Sequence, residues 1–303
     1  MLNKVVITGI SGFIGSNISE YLLSQNCIVY AIIRENSNLK KLEGFESKIT
    51  FFHIEDTDLN LKLAELGEFS LIHCAWNGVG SELRNNWQSQ IENITFFAKI
   101  LSAIKTAKIK KLIFLGSQAE YGKLFSKVNE DFPLDLNSAY SVLKNTCRMM
   151  LELFASEKKM DWIWLRVFSI FGPKEDRNWL VPSLISKIKN NEIIELTKGE
   201  QVYSYMFIKD FAKIIHLILE KKVESGIYNI ANSETIILKE FICILKDKIN
   251  SDARLIFGAL PYRENQSMII SASIDKISRQ IGCFEFTDMS SALDETIYYY
   301  VNN

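Results

Sequence analysis

Tyr140 and Lys144 stand four residues apart in Asn137-Ser138-Ala139-Tyr140-Ser141-Val142-Leu143-Lys144, a stretch that reads as the opening of a helix. Side chains four apart share a helix face. A lysine ammonium near a phenol stabilises the phenolate and lowers its pKa toward working pH, so the pair suits proton transfer. Ser117 follows the apolar run at 111–116, where a strand would end, and offers a hydroxyl to a substrate carbonyl. Serine, tyrosine and lysine together make a site for carbonyl–alcohol chemistry. A lone Tyr-x-x-x-Lys pair is usually accidental. This one gains weight from its place, after a fifth strand and downstream of a glycine turn.

That turn is TGISGFIG at residues 8–15. It follows Val5, Val6 and Ile7 and precedes the amphipathic NISEYLLSQN, so the local order is strand, glycine turn, helix. Gly9, Gly12 and Gly15 give G-x-x-G-x-x-G. Gly9 is read as the sharp exit from the strand, Gly12 as the place where no Cβ blocks a diphosphate, and Gly15 as the point of close helix–strand packing. Backbone N–H groups at the helix start then hold phosphate charge. A glycine-rich turn with no ligand is the bland alternative, and the turn alone does not choose between them.

The other strands must carry the rest of such a site. Residues 29–33 read as the second strand, with Arg34 at its end, where an acidic residue would accept from an adenosine ribose 2′-hydroxyl. A guanidinium there suits a 2′-phosphate, so NADP(H) is expected over NAD, against the alternative of a merely solvated cation. Residues 49–54 form the third strand, and Asp56 beyond it is placed to accept from an adenine amino group. Residues 71–75 form the fourth, and Ala75 is small, as a neighbour of the cofactor must be. His73 within that strand reads as structural. Residues 87–107 read as a long helix with Ile91, Ile94, Phe97 and Leu101 on one face, and Asn93 on that side requires a polar partner.

Composition narrows the class. The chain has 303 residues, 48% hydrophobic and 23% charged, ordinary for a globular enzyme. A net charge of -1 gives no field for nucleic acid or an anionic membrane. Five scattered cysteines without a C-x-x-C pair read as reduced, mostly buried thiols of a cytoplasmic protein. The chain runs into a core strand within its first residues, which leaves no room for a signal peptide, and no apolar run has membrane length. Three histidines with no cysteine or carboxylate at ligand spacing make a metal site unexpected.

Taken jointly, Gly9, Gly12, Gly15, Asp56, Asn93, Ser117, Tyr140 and Lys144 resemble the extended short-chain dehydrogenase/reductases, the nucleotide-sugar epimerase/dehydratase/reductase family. LRVFSIFGP at 165–173, VPSLI at 181–185, FIKDFAKII at 207–215, GIYNIAN at 226–232 and PYR at 261–263 continue the resemblance over nearly the whole chain. It implies an α/β fold: a Rossmann-type doubly wound parallel sheet with a smaller C-terminal α/β substrate domain. The Rossmann part would span 1–172 with a segment returning at about 207–232, and the nucleotide-sugar part 173–206 and 233–303. Ser11, Phe13, Ile14, Asn93 and Val167 join the cofactor contacts. Gln118, Asn178, Ser183, Tyr203 and Arg263 join Ser117 as substrate contacts, Arg263 as the cation for the nucleotide diphosphate. Tyr203 departs from the family pattern, which often has an arginine there.

Family dehydratases place an Asp-Glu pair where this sequence has Gln118 and Ala119, and Glu120 is offset by one, so dehydration is disfavoured. Of the remaining activities, Arg34 and the GSQAEYG stretch at 116–122 resemble 4-ketoreductases of nucleotide-linked 6-deoxyhexoses. An NAD-dependent 4-epimerase is the alternative, and a non-catalytic NADP-binding sensor or scaffold a further one. The resemblance also implies a homodimer, in which helices 87–107 and 140–156 pair as a four-helix bundle.

Overall fold

The computed structural model describes residues 3–80, 82–264 and 266–302; Met1, Leu2, Ser81, Asn265 (inside the stretch ending in GALPYRENQSM) and Asn303 lie outside them. In chain order the elements begin with β1 (Lys4–Thr8), α1 (Phe13–Ser24), β2 (Ile28–Ile33), β3 (Ile49–His53), α2 (Leu59–Glu65), β4 (Glu68–His73), α3 (Trp87–Ala103) and β5 (Lys108–Ser117). They continue with α4 (Ala139–Lys158), β6 (Trp162–Val167), β7 (Ile170–Phe171), α5 (Leu180–Lys189), β8 (Ile194–Leu196), β9 (Val202–Tyr203), β10 (Met206–Phe207), α6 (Ile208–Glu220) and β11 (Gly226–Ile230). The last are β12 (Ile236–Ile237), α7 (Leu238–Ile249), β13 (Leu255–Phe257), β14 (Ile269–Ile270), α8 (Asp275–Ile281) and α9 (Met289–Asn302).

Seven strands form one parallel sheet in the order β11-β6-β5-β4-β1-β2-β3. Side chains alternate across it. Val5, Ile7, Ile113 and Leu165 enter the core beside α1 and α6, while Val6, Leu112, Phe114 and Trp164 enter the core beside α3 and α4. Both faces are thus buried, which is why these strands read as nearly unbroken apolar runs. The chain leaves β1 toward β2 and β3, then crosses back to β4, so the strand order reverses between β1 and β4. Such a reversal opens a crevice at the carboxyl ends of the strands. This is the expected α/β Rossmann-type doubly wound sheet. Smaller sheets (β10-β7, β12-β9-β14 and β13-β8) are built from residues 170–270.

The first glycine turn is tight for steric reasons. Gly9 has φ +71°, and a Cβ on it would stand 2.5 Å from the Ala75 nitrogen. A Cβ on Gly15 would stand 2.3 Å from the Gly9 carbonyl oxygen, so Gly15 serves the closeness of helix to turn. Gly12 is exposed and caps α1 with no side chain.

Some expectations shift. β4 begins at Glu68 and β5 at Lys108, earlier than the apolar runs, because exposed Glu68 opens β4 and exposed Lys108 and Lys110 open β5. Lys111 is buried and donates to the carbonyls of Ile218 and Lys221, at the C-terminal end of α6. α3 ends at Ala103, and its buried face is Gln90, Asn93, Phe97, Ile100 and Leu101; Ile91 is 49% exposed instead of packed. The cysteines are free, but only Cys27 and Cys147 are buried, with Cys283 exposed. Among the described residues no helix is long and apolar enough to cross a membrane.

Candidate active site

The carboxyl ends of β1, β4 and β5 converge with the start of α4. At β1, α1 opens without a side-chain cap and without an acidic residue in its first turn. Its N-terminal field is therefore available to an anion, and exposed Gly12 lets that anion approach the backbone. Ser11, Phe13 and Ile14 flank it, each half-buried. Ala75 packs against Gly9 across the crevice. These features fit a dinucleotide diphosphate. His73 is structural as expected: its Nδ1 lies 2.8 Å from Thr8 Oγ1, and burial pushes its pKa down to about 3.

The loop after β4 is held by α3. Asn93 Oδ1 accepts from the Asn77 N–H at 2.7 Å, and its Nδ2 donates to the Asn77 carbonyl at 3.0 Å. The polar partner required by the sequence is thus the loop's own backbone. Gln90, fully buried, donates to the Gly78 and Leu83 carbonyls and accepts from Trp76 Nε1. The same loop reaches α4, where the Arg84 carbonyl accepts the Tyr140 N–H at 2.9 Å and Asn85 Oδ1 accepts the Ala139 N–H at 3.1 Å. Ser138 and Ser141 close a capping box at that helix start.

Tyr140 and Lys144 then project from α4 under the end of β5, both buried. Lys144 Nζ donates to the Leu115 carbonyl at 2.8 Å and lies 3.8 Å from the Trp76 ring centroid. Burial lowers its pKa to about 8. Tyr140 departs from expectation. Its phenol is pushed up by burial, with the Ser117 hydrogen bond and then the Arg84 charge pulling it back, while the Lys144 ammonium, 5.8 Å from the ring centroid, donates to the Leu115 carbonyl. Ser117 stands at the end of β5, caps the following short turn through the Ala119 N–H, and faces the phenol.

Glu120 lies beside this group, fully buried, with both oxygens engaged. Oε1 accepts from the Ser117 N–H and Trp164 Nε1, and Oε2 pairs with Arg166 Nε at 2.9 Å. Arg166 also donates to the Tyr121 hydroxyl, which donates to Asn229 Oδ1. A Cβ on Gly116 would fall 2.1 Å from Trp164 Nε1, so the strand end is shaped to this network. Glu120 is thus shut away from the crevice by burial and held by three donors.

A family model described as "NAD dependent epimerase/dehydratase family" matches residues 5–231. The chain belongs to that family. It is similar in structure to a UDP-N-acetylglucosamine 4-epimerase from Methanobrevibacter ruminantium M1, solved with UDP-N-acetylmuramic acid, at 27% identity and TM-score 0.87 over 100% of this chain and 99% of that one. A dTDP-6-deoxy-L-talose 4-dehydrogenase (NAD(+)) of Aggregatibacter actinomycetemcomitans is 24% identical over 88% of this chain and 98% of that protein. A CDP-abequose synthase of Yersinia pseudotuberculosis is 25% identical over 88% of this chain and 90% of that protein.

Membership of the epimerase/dehydratase family implies a nicotinamide dinucleotide in the crevice. Arg34 stands exposed at the end of β2, its Cζ 5.5 Å from the Phe96 ring centroid. Asp56 Oδ2 accepts from the His53 N–H and pairs with Lys62 at 2.8 Å, which holds its carboxyl below the usual range. Val167 is in register with Ser117 across β5 and β6. Of the expected substrate contacts, half-buried Gln118 lies in the turn after Ser117, exposed Asn178 just ahead of α5, and half-buried Ser183 in its first turn. The Tyr203 hydroxyl accepts from Gln266 Nε2 at 3.0 Å, and exposed Arg263 acts on it through its charge. Sequence reasoning did not find Arg84 or Gln90, or Trp76 as a partner of Lys144. Each acts through a contact whose partner is remote in sequence or made by backbone, and a single chain carries no periodic signal for that.

Proposed function

We propose that the protein reduces the C4 keto group of a nucleotide-linked 4-keto-6-deoxysugar with NADPH. The observation that carries this reading is the engagement of both Glu120 oxygens together with Gln118 and Ala119 in the adjoining positions. Elimination of water from a sugar needs a free carboxylate base; here the phenol of Tyr140 is the proton donor, which suits interconversion of carbonyl and alcohol. Bound NADPH supplies the hydride for C4. Tyr140 gives its proton to the developing alkoxide, and Ser117 hydrogen-bonds the same oxygen. Lys144, on cofactor binding, serves the nicotinamide ribose. Gly9, Gly12, Gly15, Ser11, Phe13 and Ile14 hold the diphosphate, Asp56 and Ala75 line the adenosine and nicotinamide sides, and Arg34 takes a 2′-phosphate. Residues 173–206 and 233–303 hold the nucleotide sugar through Asn178, Ser183, Tyr203 and Arg263. The relative named for 4-dehydrogenation of a dTDP-linked 6-deoxyhexose supports the substrate class.

A second reading, NAD-dependent 4-epimerase, is favoured by the 27% identity to an enzyme of that name. Assays of NDP-4-keto-6-deoxysugars with NADPH, followed by absorbance and product NMR, separate the two. NADPH oxidation with alcohol formed at C4 supports reduction. Tightly retained NAD and C4 inversion without net oxidation support epimerisation. Silence on every sugar, with Tyr140→Phe equally silent, overturns the reductase. On the reductase reading Arg34→Ser weakens NADPH binding about ten- to a hundredfold and leaves NADH binding within about twofold, because one charge-assisted contact is worth ~1.5–3 kcal/mol; fluorescence titration of both cofactors measures it.

A homodimer is proposed on the exposed apolar side chains of the adjacent helices α3 and α4: Trp87, Ile91, Met149 and Leu153. Light scattering at micromolar concentration is expected to give twice the chain mass, and a monomer mass overturns the pairing.

A further inference from the structure

The loop between β4 and α3 does more than border the cofactor crevice. It is fixed at one side by Gln90 and Asn93 and at the other clasps the first turn of α4 through the Arg84 carbonyl and Asn85. From this frame the Arg84 side chain turns back over the catalytic tyrosine. Its Nε donates to the Val79 carbonyl at 2.8 Å, and its Cζ lies 5.3 Å from the Tyr140 ring centroid. The loop is therefore built to carry a half-buried guanidinium on the face of the phenol.

We propose that Arg84 is a positioning residue for the proton transfer, its fixed charge over the Tyr140 ring adding to that of Lys144 in holding down the proton affinity of the phenol. The groups facing Tyr140 come from four elements. Lys144, on its own helix, has Nζ 5.8 Å from the ring centroid, but that ammonium is turned to the Leu115 carbonyl and the Trp76 ring. Ser117, at the end of β5, is neutral. Glu120, in the following turn, is negative and opposes ionisation, though Arg166 pairs with it. Trp76, edge-on at 5.8 Å, contributes no charge. Arg84 adds a cation that no accessible pH removes, whereas burial lowers the pKa of Lys144 to about 8. Arg84 also counters the burial that raises the phenol. When the phenol O–H bond breaks and its proton passes to the substrate alkoxide, the negative charge left on the phenolate belongs to the ring that the guanidinium overlies.

The direction of proton transfer rests on the proposed reduction, but the electrostatic claim does not, and it is tested without substrate. 3-Fluorotyrosine is placed at position 140, where the fluorine lowers the phenol's ionisation into an accessible range, and its 19F shift is titrated against pH in the full chain saturated with NADP+. Arg84→Gln and Arg84→Met, the latter retaining a long stem over the ring, are each expected to raise the midpoint by about one pH unit, and Arg84→Lys to restore most of the shift. Equal midpoints in the parent and in whichever neutral variant folds, or an Arg84→Lys midpoint as high as that of Arg84→Met, overturn the proposal. Activity on the sugar panel is read separately, so a protein that titrates as expected yet reduces no sugar refutes the reaction and leaves Arg84 in its role.

Discussion

Tyr140→Phe is expected to slow turnover ~10²–10⁴-fold, the contribution of one positioned acid, while the protein still folds and binds its dinucleotide. The substitution removes one oxygen from a ring that is buried, edge-on to Trp76 and under Arg84, so the packing that shapes the site persists. On the proposed reduction the loss belongs in kcat, because the hydroxyl would act where charge develops on the sugar oxygen. Stopped-flow measurement of NADPH oxidation, with melting curves of both proteins, separates chemistry from folding. Turnover within a few-fold of the parent would show that another group, or water, supplies the proton.

The largest effect on stability is expected at Glu120. Glu120→Gln leaves Arg166 buried beside a neutral amide, and breaking such a pair from one side costs ~3–5 kcal/mol. Glu120 is wholly buried and Arg166 is 2% exposed, so solvent screens little of the change. The amide oxygen can keep the Ser117 N–H and Trp164 Nε1 bonds that Oε1 accepts, but its NH2 then meets Arg166 Nε donor to donor. Denaturant unfolding of the two proteins measures the difference. If instead Glu120 were a sugar base, the variant would keep its stability and lose only activity, so the two roles give opposite patterns.

Much of the Rossmann half was legible because its signals are local. Strands buried on both faces appear as apolar runs, and the glycines of 8–15 are required by contacts within that turn or with the next strand end. Tyr140 and Lys144 were legible because four residues make one helical turn. Their electrostatics were not. Burial, which the four-residue spacing does not announce, pushes the phenol up, and Lys144 meets Leu115 and Trp76, residues 29 and 68 positions away in the chain. Glu120 looked like a misplaced catalytic acid for the same reason: Arg166 lies 46 residues on, and only the neighbouring positions of β5 and β6 bring it close. Ile91 was misplaced because Gln90 and Asn93, polar but buried, turn α3 toward the loop they fasten.

The seventh strand of the sheet has a consequence for biosynthesis. β11 follows β6 in space but comes about sixty residues later in the chain, and Ile230 completes the row that runs from Ser117 through Val167. A ribosome that has released residues 1–172 has delivered the dinucleotide turn, Ser117, Tyr140 and Lys144, yet β6 is then an open edge with unpaired backbone groups. Closure waits until residue 230 clears the exit tunnel, and a contact of such sequence separation is slow to find. A nascent chain at that stage carries its candidate catalytic side chains on a sheet whose edge is still unpaired.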